Sequence, residues 1–229
     1  KTNIDLIGFH GQTIFHNSEI KVSKQLGDGK LLSQLMKKKV VYDFRNNDLK
    51  NGGQGAPLTP IFHNTLANMI NKKFKTKFPV NVLNIGGIAN MTLTVSEKDK
   101  SMLNKIHAYD LGPGNCLIDE WIRKNSNQRY DKDGLIAKSG KIDDLILNQA
   151  FENFRNVSSY DKSLDINDFD IFFAKGLSLE NGAATITDLT ATLISDGIKY
   201  LNDLSQSSHS NWLVCGGGRK NKFLLERIK

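Results

Sequence analysis

Glycine-rich turns recur along this chain, most of them at the ends of runs that read as β-strands. That placement constrains the fold more than any composition figure does. Where strands alternate with helices, the turns leaving strand ends gather at one edge of a sheet, and ligands bind there. Apolar periodicity supplies the alternation. Ile4 to Phe9 reads as a strand, followed by a hairpin-like pair at Thr13–His16 and Glu19–Ser23. Asp28 is placed to cap a helix through Leu31, Leu32, Leu35 and Met36. Val40 to Phe44 reads as a strand and Pro57 to Ile70 as a helix. Val80–Ile85 and Ala89–Val95 flank a glycine pair as the arms of a hairpin. His107 to Leu111 is strand-like, with a helix over Asn115 to Arg123 behind it. The aspartate-rich stretch from Ser126 to Asp170 offers short helices at best. A long amphipathic helix follows through Ile186, Leu189, Leu193, Ile194, Ile198, Leu201 and Leu204, then a strand at Trp212–Cys215 and a closing helix. The class is α/β.

Composition narrows the function classes. The chain has 229 residues, 39% hydrophobic and 24% charged, an ordinary globular balance that excludes disordered and collagen-like chains. No apolar run reaches the roughly 18 residues of a membrane span, and no signal peptide opens the sequence, so a cytoplasmic protein is expected. Two cysteines, Cys116 and Cys215, are too few for a disulfide framework or a four-ligand zinc site; both are expected reduced and structural. The net charge of +7 raises nucleic acid as a partner. Its lysines form only modest clusters, at Lys37–Lys39 and at Lys72, Lys73, Lys75 and Lys77, with no stacking motif between them; that pattern fits a solvated surface. The chain opens on Lys1 straight into a strand and stops in FLLERIK without a cap, so both ends read as cut. The Gly/Pro cluster at Gly52–Pro57 marks a boundary between residues 1–55 and 56–229.

Each turn has a plain and a chemical reading. Gly8-Phe9-His10-Gly11-Gln12-Thr13 is either a tight turn with a polar cap or a backbone surface with His10, Gln12 and Thr13 as hydrogen-bonding groups. Arg45, ahead of Gly52-Gly53-Gln54-Gly55, either belongs to a linker or clamps a carboxylate or phosphate through its forked N–H groups. Gly86-Gly87 is either a type I′ hairpin or a tip whose backbone N–H groups meet phosphate oxygens. Asp110, before Gly112-Pro113-Gly114, either caps the next helix or stands over a crevice as a general base or cation ligand; Asn115 could take the capping role instead. Gly216-Gly217-Gly218, entering a helix, lets a flat ring lie against the backbone.

Taken in order, these segments have the nucleotide-site arrangement of the actin-like ATPase superfamily. Within it the chain closely resembles the anhydro-N-acetylmuramic acid kinase family, through IGFHGQT, DFRNNDLKNGGQGAPLTPIFH, VLNIGGIANMT, YDLGPGN with Asp119 downstream, YDKDGLIAKSG and VCGGGRKN, spread from residue 6 to residue 221. The resemblance implies a two-lobe, ribonuclease H-like α/β fold with an incomplete first lobe. It implies a cytoplasmic enzyme that uses ATP and Mg²⁺ to open the 1,6-anhydro ring of an amino sugar with water and phosphorylate the freed O6. By the same resemblance Asp110 is the general base. Gly86, Gly87, Gly112, Gly114, Asn115, Gly216, Gly217 and Gly218 surround the nucleotide, and His10, Gln12, Thr13 and Arg45 line the sugar side. No protein metal ligand, nucleic acid or membrane is implied, and a homodimer is left open. The family pattern has a further phosphate loop ahead of Ile4 and a further C-terminal segment, so this chain is expected to lack half the phosphate cradle. Another sugar or acyl kinase on the same scaffold, or a non-catalytic ATP-binding remnant, are the alternatives.

Overall fold

The computed structural model describes residues 3–98, 106–157, 164–205 and 211–228. The chain divides into two compact units, Lys1–Thr59 and Pro60–Lys229.

In the first unit, β1 (Leu6–Phe9) pairs in parallel with β4 (Lys39–Tyr42), Gly8 opposite Val41. Between them lie an antiparallel hairpin, β2 (Gln12–Asn17) with β3 (Val22–Leu26), and helix α1 (Gly29–Met36). Asp28 caps α1 as expected, its Oδ1 accepting from the Lys30 and Leu31 N–H groups at 2.8 and 2.9 Å. The second hairpin arm starts later than Glu19 because Asn17 Oδ1 accepts from the Glu19 and Ile20 N–H groups, both at 3.0 Å, and draws them into the turn. Phe44 does not end a strand: Asp43 turns left-handed at φ 63° and Phe44 opens α2 (Phe44–Lys50). The polar sequence FRNNDLK buries only Leu49 and carries no helical apolar period, so this helix is invisible to pattern reading.

The second unit is built on a four-stranded sheet of order β7-β6-β5-β8: β5 (Val80–Ile85), β6 (Ile88–Leu93), β7 (His107–Pro113) and β8 (Asn211–Cys215). β6 runs antiparallel to both β5 and β7, while β8 runs parallel to β5. Hence β5, β7 and β8 all point the same way, and the turns after Ile85, Pro113 and Cys215 fall at one end of the sheet. Successive residues of a strand face opposite sides, and both sides are covered here. Leu83, Ile85, Met91 and Leu111 pack with Ala191 and Ile194 of α7 (Leu179–Ser205) and Leu224 of α8 (Lys222–Arg227). The other side carries α3 (Pro60–Phe74), which starts with a proline in its first turn rather than at Pro57. Buried amides fix α3 to the strand end: the Val95 N–H donates to Asn64 Oδ1 at 2.7 Å and Asn68 Nδ2 donates to the Val95 carbonyl at 2.9 Å.

Helix α4 (Cys116–Asn125) packs Leu117, Ile118, Trp121 and Ile122 against Ala183 and Ile186 of α7. α7 begins at Leu179, ahead of the pattern's first mark at Ile186, because its first turns are small. A Cβ on Gly182 would lie 2.1 Å from the Trp121 ring, and the Trp121 indole N–H donates to the Leu179 carbonyl at 2.9 Å. The 126–170 stretch is more ordered than expected. Besides the short α5 (Leu135–Ser139) it contains α6 (Asp144–Val157), 14 residues long, whose Leu147, Ala150, Phe151 and Phe154 pack with Leu189 and Leu193; residues 158–163 of the stretch lie outside the described residues. That spacing is helical and legible; the surrounding aspartates mask it. Among the described residues no helix is long and apolar enough to cross a membrane.

Ile194 is fully buried where α7 meets the sheet. Ile194→Ala is expected to destabilise the second unit by about 2–5 kcal/mol, seen as an earlier denaturant midpoint with unchanged slope.

Candidate functional site

Three strand-end turns of the second unit converge on the peptide between Ile85 and Gly87. The Gly86 carbonyl accepts from the Asn115 backbone N–H at 2.7 Å and from Asn115 Nδ2 at 2.9 Å, and Nδ2 also reaches the Ile85 carbonyl at 3.1 Å. The Gly87 carbonyl accepts from the Gly114 N–H at 2.8 Å and the Cys116 N–H at 3.2 Å. The start of α4 is therefore docked onto the β5–β6 hairpin. Asn115 makes no side-chain cap to its own helix, contrary to the expected capping role, because its amide is committed to the hairpin.

The glycines divide by what each position demands. Gly112 and Gly216 have φ of 146° and 80°, a region that L side chains rarely enter. A Cβ on Gly114 would lie 2.3 Å from the Gly86 carbonyl oxygen, and one on Gly218 would lie 2.3 Å from Ile85 Cγ2. Those four residues are required by the packing of the turns themselves. Gly86, Gly87 and Gly217 are different. None has positive φ, so the pair is not a type I′ turn, and a Cβ there would meet nothing nearer than 3.4, 3.8 and 3.7 Å. Gly87 and Gly217 are exposed and Gly86 is half-buried. Neither conformation nor packing asks for glycine at these places; an open backbone surface does. The Gly86 N–H is spent on the Ile88 carbonyl at 3.2 Å. The Gly86–Gly87 peptide is trans, so with its carbonyl aimed at α4 the Gly87 N–H points the other way, and it has no partner among the described residues.

Beside Gly217 a cavity of about 260 Å³ is lined by Asn115, Asp119, Tyr130, Asp131, Asp133 and Lys220, among others. Asp131 is buried and already used, its two oxygens accepting from the Ile136 and Ala137 N–H groups at 2.9 Å each. Asp119 lies one helical turn after Asn115, half-buried; burial raises its carboxyl pKa, with Arg123 pulling the other way. The motifs YDLGPGN with Asp119 downstream, YDKDGLIAKSG and VCGGGRKN contain Asp119, Tyr130, Asp133 and Lys220, but give none of them a task. Asp110 is half-buried on β7, opposite Asn90, and its Oδ2 accepts from the Leu164 N–H at 2.8 Å.

In the first unit two of the four expected sugar-side residues meet. Arg45 Nε–H donates to His10 Nε2 at 3.0 Å and Arg45 Nη1 donates to the Gly55 carbonyl at 2.8 Å. His10 Nε2 is thereby the acceptor nitrogen, which leaves Nδ1 to carry the proton and donate to the Gly11 carbonyl at 2.9 Å. Asp48, unremarked in the sequence, accepts from the Gly55 N–H at 2.7 Å and pins the glycine turn. His16 has its pKa lowered by burial and then by the Arg45 charge. Thr13 is a ladder residue whose hydroxyl accepts from Gln25 at 3.4 Å, and Gln12 is exposed beside it. An open cavity of about 520 Å³ in this unit is bordered by His10, Gln25, Asp28, Tyr42, Asp43 and Asn46; Gln12, Thr13 and Arg45 are not among its lining.

Both cysteines are free thiols. Burial pushes Cys116 up to about 11 and raises Cys215 as well. Among the described residues no group of three or more His, Cys, Asp or Glu side chains is arranged to hold a metal ion.

The family model described as anhydro-N-acetylmuramic acid kinase matches residues 1–229. A curated relative of that name from Pelagibacter ubique is 50% identical over 99% of this chain, and one from Rhodospirillum rubrum is 39% identical over 97%. A third, from Agrobacterium fabrum, is 38% identical over 99%. The chain spans 59%, 56% and 57% of the lengths of these relatives.

Gly114→Ala is expected to cost about 2 kcal/mol or more, because the hairpin or α4 must move to admit the methyl group; thermal unfolding of the variant measures it. Cys116, with its thiol pKa near 11, is expected to alkylate slowly at pH 7–8 and to speed up only as the pH climbs toward that value, followed by mass spectrometry of iodoacetamide-treated protein.

Proposed function

The chain belongs to the anhydro-N-acetylmuramic acid kinase family, and from that membership and the geometry of its turns we propose that it is the nucleotide- and sugar-handling portion of an ATP-dependent kinase that opens the 1,6-anhydro ring of anhydro-N-acetylmuramic acid and phosphorylates O6. The observation that carries this reading is the convergence of three strand-end turns on one hairpin, with Gly86, Gly87 and Gly217 left open where nothing in the fold requires glycine. The meander of β5, β6 and β7 with β8 parallel beside β5 supports the finer reading of a ribonuclease H-like second lobe. The first unit would then be the partial sugar-side lobe.

In this reading the residues divide their work. Gly112, Gly114, Asn115, Gly216 and Gly218 build the cradle by packing the turns together. Gly86, Gly87 and Gly217 present bare backbone to the nucleotide, the Gly87 N–H being the donor aimed outward at phosphate oxygen. Arg45, held by His10 and Gly55, brings a fixed cation to the sugar side, suited to a carboxylate such as the lactyl group of a muramic sugar. Gln12 and Thr13 open the hairpin that follows His10. The balanced reaction takes the anhydro sugar, water and ATP to the 6-phosphate and ADP. Asp110 would take a proton from the water as its oxygen attacks the anomeric carbon, while the ring C–O bond breaks to free O6, which receives the γ-phosphoryl group. The Leu164 N–H on Oδ2 fixes the carboxylate for that role. Mg²⁺ supplies charge neutralisation on the phosphates of such kinases and is held largely by them and by water. Among the described residues no group of three or more His, Cys, Asp or Glu side chains is arranged to hold it. A small-molecule substrate and a cytoplasmic setting go with this function.

Asp110→Asn in the full-length protein tests the assignment through ADP release with anhydro-N-acetylmuramic acid as acceptor. Turnover is expected to fall about 10²–10⁴-fold with ATP affinity little changed. Weakened Mg·ATP binding instead would make Asp110 a cation ligand, and near-normal turnover would leave it a structural residue bonded to Leu164.

A further inference from the structure

The cavity beside Gly217 carries an inference that rests on the nucleotide reading and goes beyond it. Its charge decides which half of a nucleotide it can accept. Asp119, Asp131 and Asp133 line it against the single cation Lys220, so a phosphate group placed there would meet an excess of carboxylates. The hairpin side is the opposite: Gly86 and Gly87 bring no charge, and the Gly87 N–H points outward. The phosphates therefore belong at the hairpin and the uncharged nucleoside in the cavity.

Asn115, Ile118 and Asp119 share one face of α4, three and four residues apart. Asn115 grips the hairpin, and Asp119 stands four residues further along, about 6 Å on. In a nucleotide the sugar is the group bonded directly to the phosphates. Asp119 makes no side-chain hydrogen bond or ion pair with any described residue, whereas Asp131 beside it is fully used. A half-buried carboxylate carries a desolvation cost that a ligand donor would offset, and its raised pKa reflects that cost. Buried Ile118 and exposed Tyr130 are the apolar and aromatic side chains among the cavity's lining.

We infer that this cavity takes the ribose of the nucleotide and that Asp119 accepts hydrogen bonds from its vicinal 2′- and 3′-hydroxyls. A carboxylate has two oxygens and matches two adjacent hydroxyl donors, which makes Asp119 a specificity-determining residue for a ribonucleotide.

The test is equilibrium binding of ADP and of 2′,3′-dideoxy-ADP to the full-length protein and to its Asp119→Ala and Asp119→Asn variants. The unaltered protein should bind ADP about 10- to 100-fold more tightly than the dideoxy nucleotide, the range set by hydrogen bonds to a charged group. Asp119→Ala should lose that preference chiefly by weakening ADP, and Asp119→Asn should keep some of it. Equal binding of the two nucleotides to the unaltered protein would overturn the ribose assignment while leaving the nucleotide reading intact, and needs no folded variant. A preference undiminished in Asp119→Ala would overturn the role of Asp119. Failure of the full-length protein to bind ADP at all would instead remove the nucleotide reading, and this inference with it.

Discussion

The candidate site of the second unit depends on one docking: the Gly86 and Gly87 carbonyls accept four hydrogen bonds from the start of α4, including the Asn115 side chain. A helix start has N–H groups without partners in its own helix, and here the hairpin supplies acceptors for them. Turning those carbonyls inward turns the Gly87 N–H outward, since the peptide plane fixes the two in opposition. The same contact demands Gly114, whose Cβ would strike the Gly86 oxygen, and Gly218 and Gly216 pack around Ile85 to close the cluster. A change at the interface between turns would therefore be felt at the Gly87 N–H and in stability together.

From that docking follows a separation of charge along α4. Asn115, just before its first residue, is bonded to the neutral glycine hairpin, and one turn later Asp119 lines a cavity with more carboxylates than cations. A ligand with one anionic and one uncharged hydroxyl-bearing end fits that gradient in a single direction. In the first unit the fixed charge is a cation: Arg45 is oriented by His10 and the Gly55 carbonyl.

The strand order and glycine turns are legible because strand and helix periods differ and glycine marks where strands end. Asp28 as a cap and Val80–Ile85 as a strand are visible for that reason. What stays hidden is whatever depends on neighbours distant in sequence. The early turns of α7 are small residues fitted to Trp121, and Asn115 spends its amide on a hairpin 29 residues away instead of on its own helix; α2 is hidden for a different reason, being polar with only Leu49 buried. Within the site, sequence can mark glycines but cannot separate those that packing requires from those left open. That distinction, between Gly114 and Gly87 for instance, exists only in three dimensions. α6 is a different kind of miss, since its apolar spacing is present and the aspartates around it obscure a regular pattern.

The most direct test of the account is a crystal structure of the full-length protein with Mg·ADP bound. The diphosphate is expected against the Gly86–Gly87 hairpin, with the Gly87 N–H on a phosphate oxygen and the adenosine beside Gly217. Nucleotide bound at the other end of the sheet, near Val80 and Asn211, or with its phosphates in the carboxylate-lined cavity, would contradict it.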